Sequence, residues 1–160
     1  MNEQVQTELK KILNGRFSTS ESTRANYARG EDTYDPVLSK AVVFPETNEE
    51  VSKILSICND HKIPVVPFGT GTSLEGNVVG NDNGITISLE KMNKVLSVNV
   101  EDFDCRVQAC VTREQLNDYL REDGVFFPID PGANAAIGGM ASTSASGTMA
   151  VKYGTMKTVI

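Results

Sequence analysis

Two glycine-rich tracts combine backbone amides and hydroxyl side chains in a pattern that suits phosphate binding. The first, residues 67–76, combines three glycines with the hydroxyl groups of Thr70, Thr72 and Ser73. The second covers residues 130–154 and mixes glycine, alanine, serine and threonine. Glycine permits positive φ angles and a close approach of ligand to backbone, while amides and hydroxyls donate to phosphate oxygens. The pair predicts a ligand with an extended phosphate-containing body, such as a dinucleotide.

Two common phosphate-binding motifs do not match the first tract. A Rossmann fingerprint needs glycine at the position of Leu74, and a helix should follow. A P-loop needs lysine and then serine or threonine where this chain has Asn77-Val78. The remaining interpretation is a loop between strands that wraps a pyrophosphate with its amides and hydroxyls. The alternative is a turn that binds nothing.

Composition and charge exclude several classes of protein. The chain has 160 residues, 39% of them hydrophobic, which is enough for one globular core. A net charge of −6 argues against nucleic acid or an anionic membrane as the main partner. No apolar run approaches the ~20 residues that cross a bilayer, and the N-terminus lacks a signal-peptide pattern. We expect a soluble, cytoplasmic protein.

Cysteine and histidine are too sparse for a metal site. Cys58, Cys105 and Cys110 form no C-x-x-C pair, so we expect buried, reduced thiols. His61 is the only histidine, which excludes a His-rich zinc site built from this chain alone. It stands beside Lys62 where a helix should end, and a basic side chain there interacts favourably with the negative end of the helix dipole. We therefore predict no metal ligands.

The elements before the first tract alternate between helix and strand. An N-terminal helix should stop at Asn14-Gly15, and residues 16–40 are polar and turn-rich. A strand at 41–44 precedes a helix that Thr47 caps, and a strand at 63–67 leads into the tract. The apolar stripe predicted for this second helix is Val51, Ile54, Leu55 and Cys58.

More strands and one clear helix follow the first tract. The predicted strands are 84–89, 95–100 and 105–111. Thr112 caps a helix that Asp123-Gly124 closes, and a short helix of small residues should lie within 138–145. The residues expected to face inward from the longer helix are Leu116, Tyr119 and Leu120.

The whole pattern predicts an α+β fold with mixed strands, in two α/β lobes that share a cleft. Residues 1–35 form an N-terminal helix and an extended segment, and residues 36–160 form the ligand-binding domain. Residues 158–160 are apolar and strand-like without a polar tail. We therefore expect the domain to be truncated at its C-terminus, with uncovered strand edges that invite self-association.

The two tracts together resemble the FAD-linked oxidases with a PCMH-type FAD-binding domain, the vanillyl-alcohol oxidase superfamily. The resemblance rests on PVVPFGTGTSLEG at 64–76, DPGA at 130–133, IGGMAST at 137–143, ASGT at 145–148 and YGTM at 153–156. Within the superfamily, the branch of the D-lactate dehydrogenases and glycolate oxidases is the most similar. The likeness begins near Gly30 and continues to Ile160.

This resemblance implies noncovalent FAD, because no histidine lies near the tracts to attach the flavin. Residues 67–76 would bind the pyrophosphate, and the second tract would line the cofactor. The expected cofactor-binding residues are Pro67, Gly69, Thr70, Gly71, Thr72, Ser73, Gly76, Pro131, Gly132, Gly138, Gly139, Ala141, Ser142, Ser146, Gly147, Tyr153 and Gly154.

The resemblance also implies oxidation of a D-2-hydroxy acid, lactate-like or glycolate-like, to the 2-oxo acid by hydride transfer to flavin N5. The base and the carboxylate anchor would come from a substrate domain after Ile160, so no catalytic residue is assigned and this portion alone should be inactive. A partner subunit could supply the same groups. Two alternatives stay open: a noncatalytic flavin- or nucleotide-binding module, and a different flavoenzyme built on the same domain.

Overall fold

The computed structural model describes residues 1–160. Backbone contacts divide the chain into two compact units, Met1–Lys91 and Met92–Ile160. The first glycine tract belongs to the first unit and the second tract belongs to the second unit. Each tract is therefore shaped by the elements of its own unit.

A mixed four-stranded sheet organises the first unit. Its strands are β1 (Phe17–Ser18), β2 (Ala41–Val43), β3 (Val65–Phe68) and β4 (Ile85–Ser88), in the order β1-β2-β4-β3. Both β2 and β3 pair in parallel with β4, and β1 pairs antiparallel with β2. The three strands predicted in this unit are confirmed as β2, β3 and β4, and β4 lies between β2 and β3.

The first unit has three helices, α1 (Glu3–Leu13), α2 (Glu21–Asn26) and α3 (Asn48–Asp60). The predicted signals are present, since α1 ends at Asn14 in the left-handed conformation and the Thr47 hydroxyl accepts the Glu50 amide at the start of α3. Alternate strand residues pack with α1 and α3. This core consists of Val5, Leu9, Leu13, Ala41, Val43, Ile54, Cys58, Ile85 and Ile87.

The opposite face of this sheet is also buried and carries polar residues beside the apolar Val42 and Phe68. Thr86 and Ser88 point there because they alternate with the core residues of β4, and the Thr86 hydroxyl lies 2.8 Å from that of Ser39. The sequence predicted a polar, turn-rich and extended segment for residues 16–40 with no helix, yet β1 and α2 lie within it. Elements of two and six residues are too short to show a readable periodicity.

A β-hairpin and four helices form the second unit. Strands β5 (Val95–Asn99) and β6 (Asp104–Val107) lie in the two segments predicted as strands, although β6 ends before the predicted residue 111, and they pair antiparallel. The helices are α4 (Arg113–Leu120), α5 (Ile137–Ser142), α6 (Ala150–Tyr153) and α7 (Met156–Val159). Gly124, with a φ of 70°, closes the 3-10 turn after α4. The core consists of Val111, Leu116, Leu120, Ile129, Ile137, Met140 and Met156.

The structure corrects three expectations. Leu55 and Tyr119 were predicted to face inward but are 45% and 59% exposed. The buried stripes of α3 and α4 are narrow and consist of residues four apart, so a neighbouring apolar residue falls outside them. Residues 158–160 do not form a strand, because Thr155 and Thr158 make a capping box that begins α7.

Candidate cofactor-binding site

The first glycine tract leaves the sheet directly after β3. Phe68, the last residue of β3, is buried, and a Cβ atom added to Gly71 would lie 2.8 Å from its ring Cζ. Gly71 also has a φ of +75°, which other residues rarely adopt. Both features require glycine where the chain turns out of the sheet. Pro67 lies within β3 and Gly69 follows the strand.

Backbone amides are the clearest phosphate-binding feature of this tract. The N–H groups of Gly71, Thr72 and Ser73 donate to no acceptor within the chain, and all three residues are half-buried. Partly buried amides without partners are uncommon in folded proteins. Successive free N–H groups in a turn form a concavity that binds anions. The tract therefore fits an anionic group of the kind that the pyrophosphate of FAD presents.

The side-chain hydroxyls of the tract add to this donor set. The Ser73 hydroxyl oxygen accepts hydrogen bonds from the Glu75 amide at 3.4 Å and the Asn77 side-chain amide at 3.1 Å. Because Ser73 accepts both bonds, its own proton is available to a phosphate oxygen. The hydroxyls of Thr70 and Thr72 lie 3.3 Å apart and share one hydrogen bond.

Residues 30–34, which were not predicted to belong to the site, support the tract from one side. The Glu31 amide donates to the Gly71 carbonyl at 3.0 Å. A Cβ added to Gly30 would lie 2.5 Å from that same carbonyl oxygen, and one added to Gly76 would lie 2.7 Å from the Tyr34 ring. The sequence offered two signals here, the turn-rich composition and the start of the family likeness near Gly30, and neither reveals a contact so distant in sequence.

In the second unit, Asp130 brings the two ends of the second tract together. Its carboxylate accepts the Met149 amide at 3.0 Å and the Thr148 hydroxyl. These hydrogen bonds, that of Thr148 foremost, lower the pKa of Asp130. A Cβ on Gly147 would come within 2.3 Å of the Asp130 backbone oxygen. Gly147 therefore permits the contact between these two segments.

Helix α5 presents two adjacent glycines with different surroundings. The Gly138 amide donates to the Ala109 carbonyl at 2.8 Å, and a Cβ there would lie 2.8 Å from the Ala109 methyl carbon. A Cβ on Gly139 would meet nothing within 4 Å. The Ser142 hydroxyl donates to the Gly138 carbonyl at 2.8 Å, so its proton is already used in this conformation.

The remaining predicted positions of the second tract differ in exposure. Gly132 is exposed, with open space where a Cβ would stand, and Ser146 is also exposed. Pro131 and Ala141 are half-buried, and Ala141 packs against the core of the second unit. Gly132 and Ser146 are thus the more accessible of these residues to a ligand.

Tyr153 and Gly154 end the tract in a constrained turn. The Tyr153 ring meets Phe126 edge-on, with ring centroids 5.6 Å apart. Gly154 has a φ of +85°, and a Cβ there would lie 2.3 Å from the Thr158 hydroxyl. Tyr153 also lines a mostly apolar cavity of about 870 Å³ within the second unit, together with Phe103, Phe126 and others.

The structure shows no cluster of metal-binding side chains at these tracts. No group of three or more His, Cys, Asp or Glu side chains is placed to hold a metal ion. His61 forms the C-terminal cap of α3, as its sequence position predicted. The geometry of the first tract can bind a phosphate-containing group through its backbone amides.

Comparison with known proteins agrees with this geometry. Among curated proteins, the chain is 48% identical to probable D-lactate dehydrogenase of Danio rerio over 88% of this chain and 28% of the relative. It is 41% identical to the cytochrome-type D-lactate dehydrogenase of Arabidopsis thaliana, over 94% and 27%. Glycolate oxidase subunit GlcD of Bacillus subtilis is 30% identical, over 86% and 30%. The chain spans about three tenths of these relatives.

A solved structure and a family profile complete the comparison. A structure of alkyldihydroxyacetonephosphate synthase superposes with a TM-score of 0.89, covering 98% of this chain and 32% of that chain, at 22% identity. This likeness concerns the fold and confirms the predicted α+β, PCMH-type architecture. The profile of the FAD binding domain family matches residues 39–160. The chain therefore belongs to the FAD binding domain family, and its cofactor is FAD, as the sequence predicted.

Proposed function

We propose that this chain is the FAD-binding part of a flavin-dependent oxidoreductase that converts a D-2-hydroxy acid into the 2-oxo acid. The observation that carries the proposal is the row of unpartnered amides at Gly71, Thr72 and Ser73 in a glycine turn that begins at the end of β3. The lactate- and glycolate-like substrate class is taken from the names of the relatives.

The residues of this chain bind and orient the cofactor in this proposal. The amides of residues 71–73 and the Ser73 hydroxyl hold the FAD pyrophosphate without covalent attachment. Gly132, Gly139 and Ser146 allow close approach in the second unit, since no protein atom occupies the space beside either glycine. Bound FAD supplies the hydride acceptor of the reaction. The base and the substrate-carboxylate anchor are proposed to lie outside this chain.

The proposal is tested with purified protein in two steps. Fluorescence titration with FAD should give saturable binding, and replacing Gly71 with alanine should weaken it at least tenfold. Gly15→Ala is the matched control, since Gly15 has a similar φ of +87° in the same unit but nothing within 4 Å of its Cβ position. Equal affinity of the Gly71→Ala and Gly15→Ala variants would contradict the placement of the pyrophosphate.

The second step tests the activity in the complete enzyme. Under anaerobic conditions, D-lactate or glycolate should bleach the flavin absorbance, and L-lactate should not. A protein that binds FAD but is bleached by no 2-hydroxy acid would favour the noncatalytic module. The two outcomes therefore separate the oxidoreductase from a domain that only binds the cofactor.

Location and assembly are also proposals. No helix of the chain combines the length and apolar character needed to cross a membrane. We keep the predicted cytoplasmic location, although several relatives are named as mitochondrial proteins; fluorescence microscopy of the tagged protein tests it.

Self-association is favoured by Phe103 and Leu96, which are 83% and 55% exposed. Analytical ultracentrifugation tests this second point.

A further inference from the structure

We infer that Asp32 is a positioning residue for the FAD pyrophosphate, acting through the backbone of Glu31 and Gly71. This inference rests on the proposed placement of the pyrophosphate on residues 67–76. Asp32 does not belong to either glycine tract, and its role would be to set the direction of an amide that donates to phosphate.

Asp32 is a buried acid in an otherwise exposed turn. The residue is only 6% exposed, so the surrounding protein restricts its side chain. One carboxylate oxygen accepts the Gly30 amide at 3.1 Å and the other accepts the Tyr34 amide at 3.0 Å. A buried carboxylate is costly unless it is hydrogen-bonded. Here both oxygens bind backbone amides, so the side chain fixes the conformation of residues 30–34.

The ends of this segment are fixed independently of Asp32. The Ala28 carbonyl accepts hydrogen bonds from the Val37 amide at 3.2 Å and the Gly80 amide at 2.9 Å. A Cβ on Gly80 would lie 1.9 Å from the Val37 carbonyl oxygen, which shows how closely the two backbones approach. The ends are thus anchored to the rest of the unit, and Asp32 holds the turn between them.

That turn controls the orientation of a peptide in the first tract. The Glu31 amide, between the two residues that Asp32 binds, donates to the Gly71 carbonyl at 3.0 Å. A trans peptide is planar, and its C=O and N–H groups point in opposite directions. When the Gly71 carbonyl points at Glu31, the Thr72 N–H must point away from residues 30–34. That N–H has no acceptor in the chain.

The test compares Asp32→Ala, Asp32→Asn and the control Asp35→Ala in the purified protein. Asp35 is exposed and lies in the same segment, and its replacement removes the same charge. We expect Asp32→Ala to raise the Kd for FAD at least tenfold. Asp32→Asn should raise it less, because the amide keeps one acceptor oxygen, and Asp35→Ala should stay within twofold of the wild type. The 31P NMR resonances of bound FAD should shift in Asp32→Asn and not in Asp35→Ala.

Thermal unfolding without FAD shows which variants fold. If Asp32→Ala does not fold, the FAD affinity of Asp32→Asn decides whether the inference holds. The inference is overturned if Asp32→Asn binds FAD within twofold of the wild type with unchanged 31P resonances, or if Asp35→Ala produces the same changes. Gly71→Ala separates this failure from a failure of the proposed site. If Gly71→Ala weakens FAD binding while the Asp32 variants bind normally, only the role of Asp32 is wrong. If Gly71→Ala also binds normally, the placement of the pyrophosphate is wrong.

Discussion

The atoms that an added Cβ would contact distinguish the glycines required for packing from those that leave room for a ligand. A Cβ on Gly138 or Gly147 would lie 2.8 Å or 2.3 Å from the nearest protein atom, so their lack of a side chain is explained within the fold. Gly139 and Gly132 face open space. Glycine in a helix is destabilising relative to alanine, so folding alone gives no reason for Gly139.

The first prediction concerns Gly139→Ala. In the absence of FAD, the free energy of unfolding of the variant should be about 0.5–1 kcal/mol higher than that of the wild type, because alanine favours the helix. It should nevertheless bind FAD more weakly, because the methyl group occupies the space proposed for the cofactor. Urea unfolding and FAD titration measure the two effects. Unchanged FAD affinity would remove Gly139 from the proposed site.

A second residue-scale prediction concerns Glu50 and pH. The Arg16 guanidinium donates to both Glu50 carboxylate oxygens, at 2.6 and 2.5 Å, and this lowers the pKa of Glu50 to about 2 from an ordinary 4.5. Because the folded state favours the ionised form of Glu50, the contribution of this carboxylate to the stability of the folded protein is complete above pH 4.5. It is lost as the pH falls from about 4.5 towards about 2.

Urea unfolding between neutral pH and pH 2 tests this linkage. Glu50→Gln should lower the free energy of unfolding by about 2 kcal/mol at neutral pH, and the difference from the wild type should shrink as the pH falls through that window. Glu49→Gln, at an exposed neighbouring position, is the control. A Glu50→Gln deficit that persists unchanged at pH 2 would contradict the assigned ion pair.

At the scale of elements, helix boundaries are determined by local hydrogen bonds that a sequence displays directly. Thr47 and Thr112 cap α3 and α4 by accepting the amide three residues ahead, as predicted. The second bond of the capping box is absent from both helices, since Glu50 accepts the Glu46 amide and the Gln115 side chain donates to the Asn93 carbonyl. The local sequence pattern therefore predicted where both helices start. The hydrogen bond of the Gln115 side chain instead depends on Asn93, which is distant in the sequence.

The element-scale prediction is that Thr47→Ala lowers the free energy of unfolding by about 1 kcal/mol, because the Glu50 amide loses its acceptor at the first turn of α3. Thr7→Ala is the control, since Thr7 is exposed in the interior of α1 and alanine is the better helix former there. Chemical denaturation measures both. Equal losses in the two variants would show that capping is not the cause.

At the scale of the whole molecule, the charge balance opposes the binding of an anionic cofactor. The chain carries a net charge of −6, and neither the glycine loop from 69 to 76 nor helix α5 contains a lysine or arginine. Phosphate binding in this proposal therefore depends on amide dipoles and hydroxyls. These act at short range, whereas the repulsion between FAD and the acidic protein extends over the Debye length.

This balance predicts an unusual salt dependence. Raising the ionic strength from ~0.01 to ~0.1 M shortens the Debye length from about 30 to about 10 Å, which screens the repulsion and leaves the amide hydrogen bonds in place. The Kd for FAD should stay constant or decrease with added salt, as measured by fluorescence titration. A tenfold increase would instead indicate that cationic side chains hold the phosphates.

The cofactor class, most strands and the helix caps of this protein were predictable from its sequence. These features depend on residues within a few positions of one another, such as the glycines and hydroxyls of 67–76 or Thr47 and Glu50. The folded chain alone reveals that the Glu31 amide donates to the Gly71 carbonyl and that the Asp130 carboxylate accepts the Met149 amide. Contacts between residues far apart in the chain leave no local pattern, because chain topology, rather than neighbouring residue types, brings their atoms together.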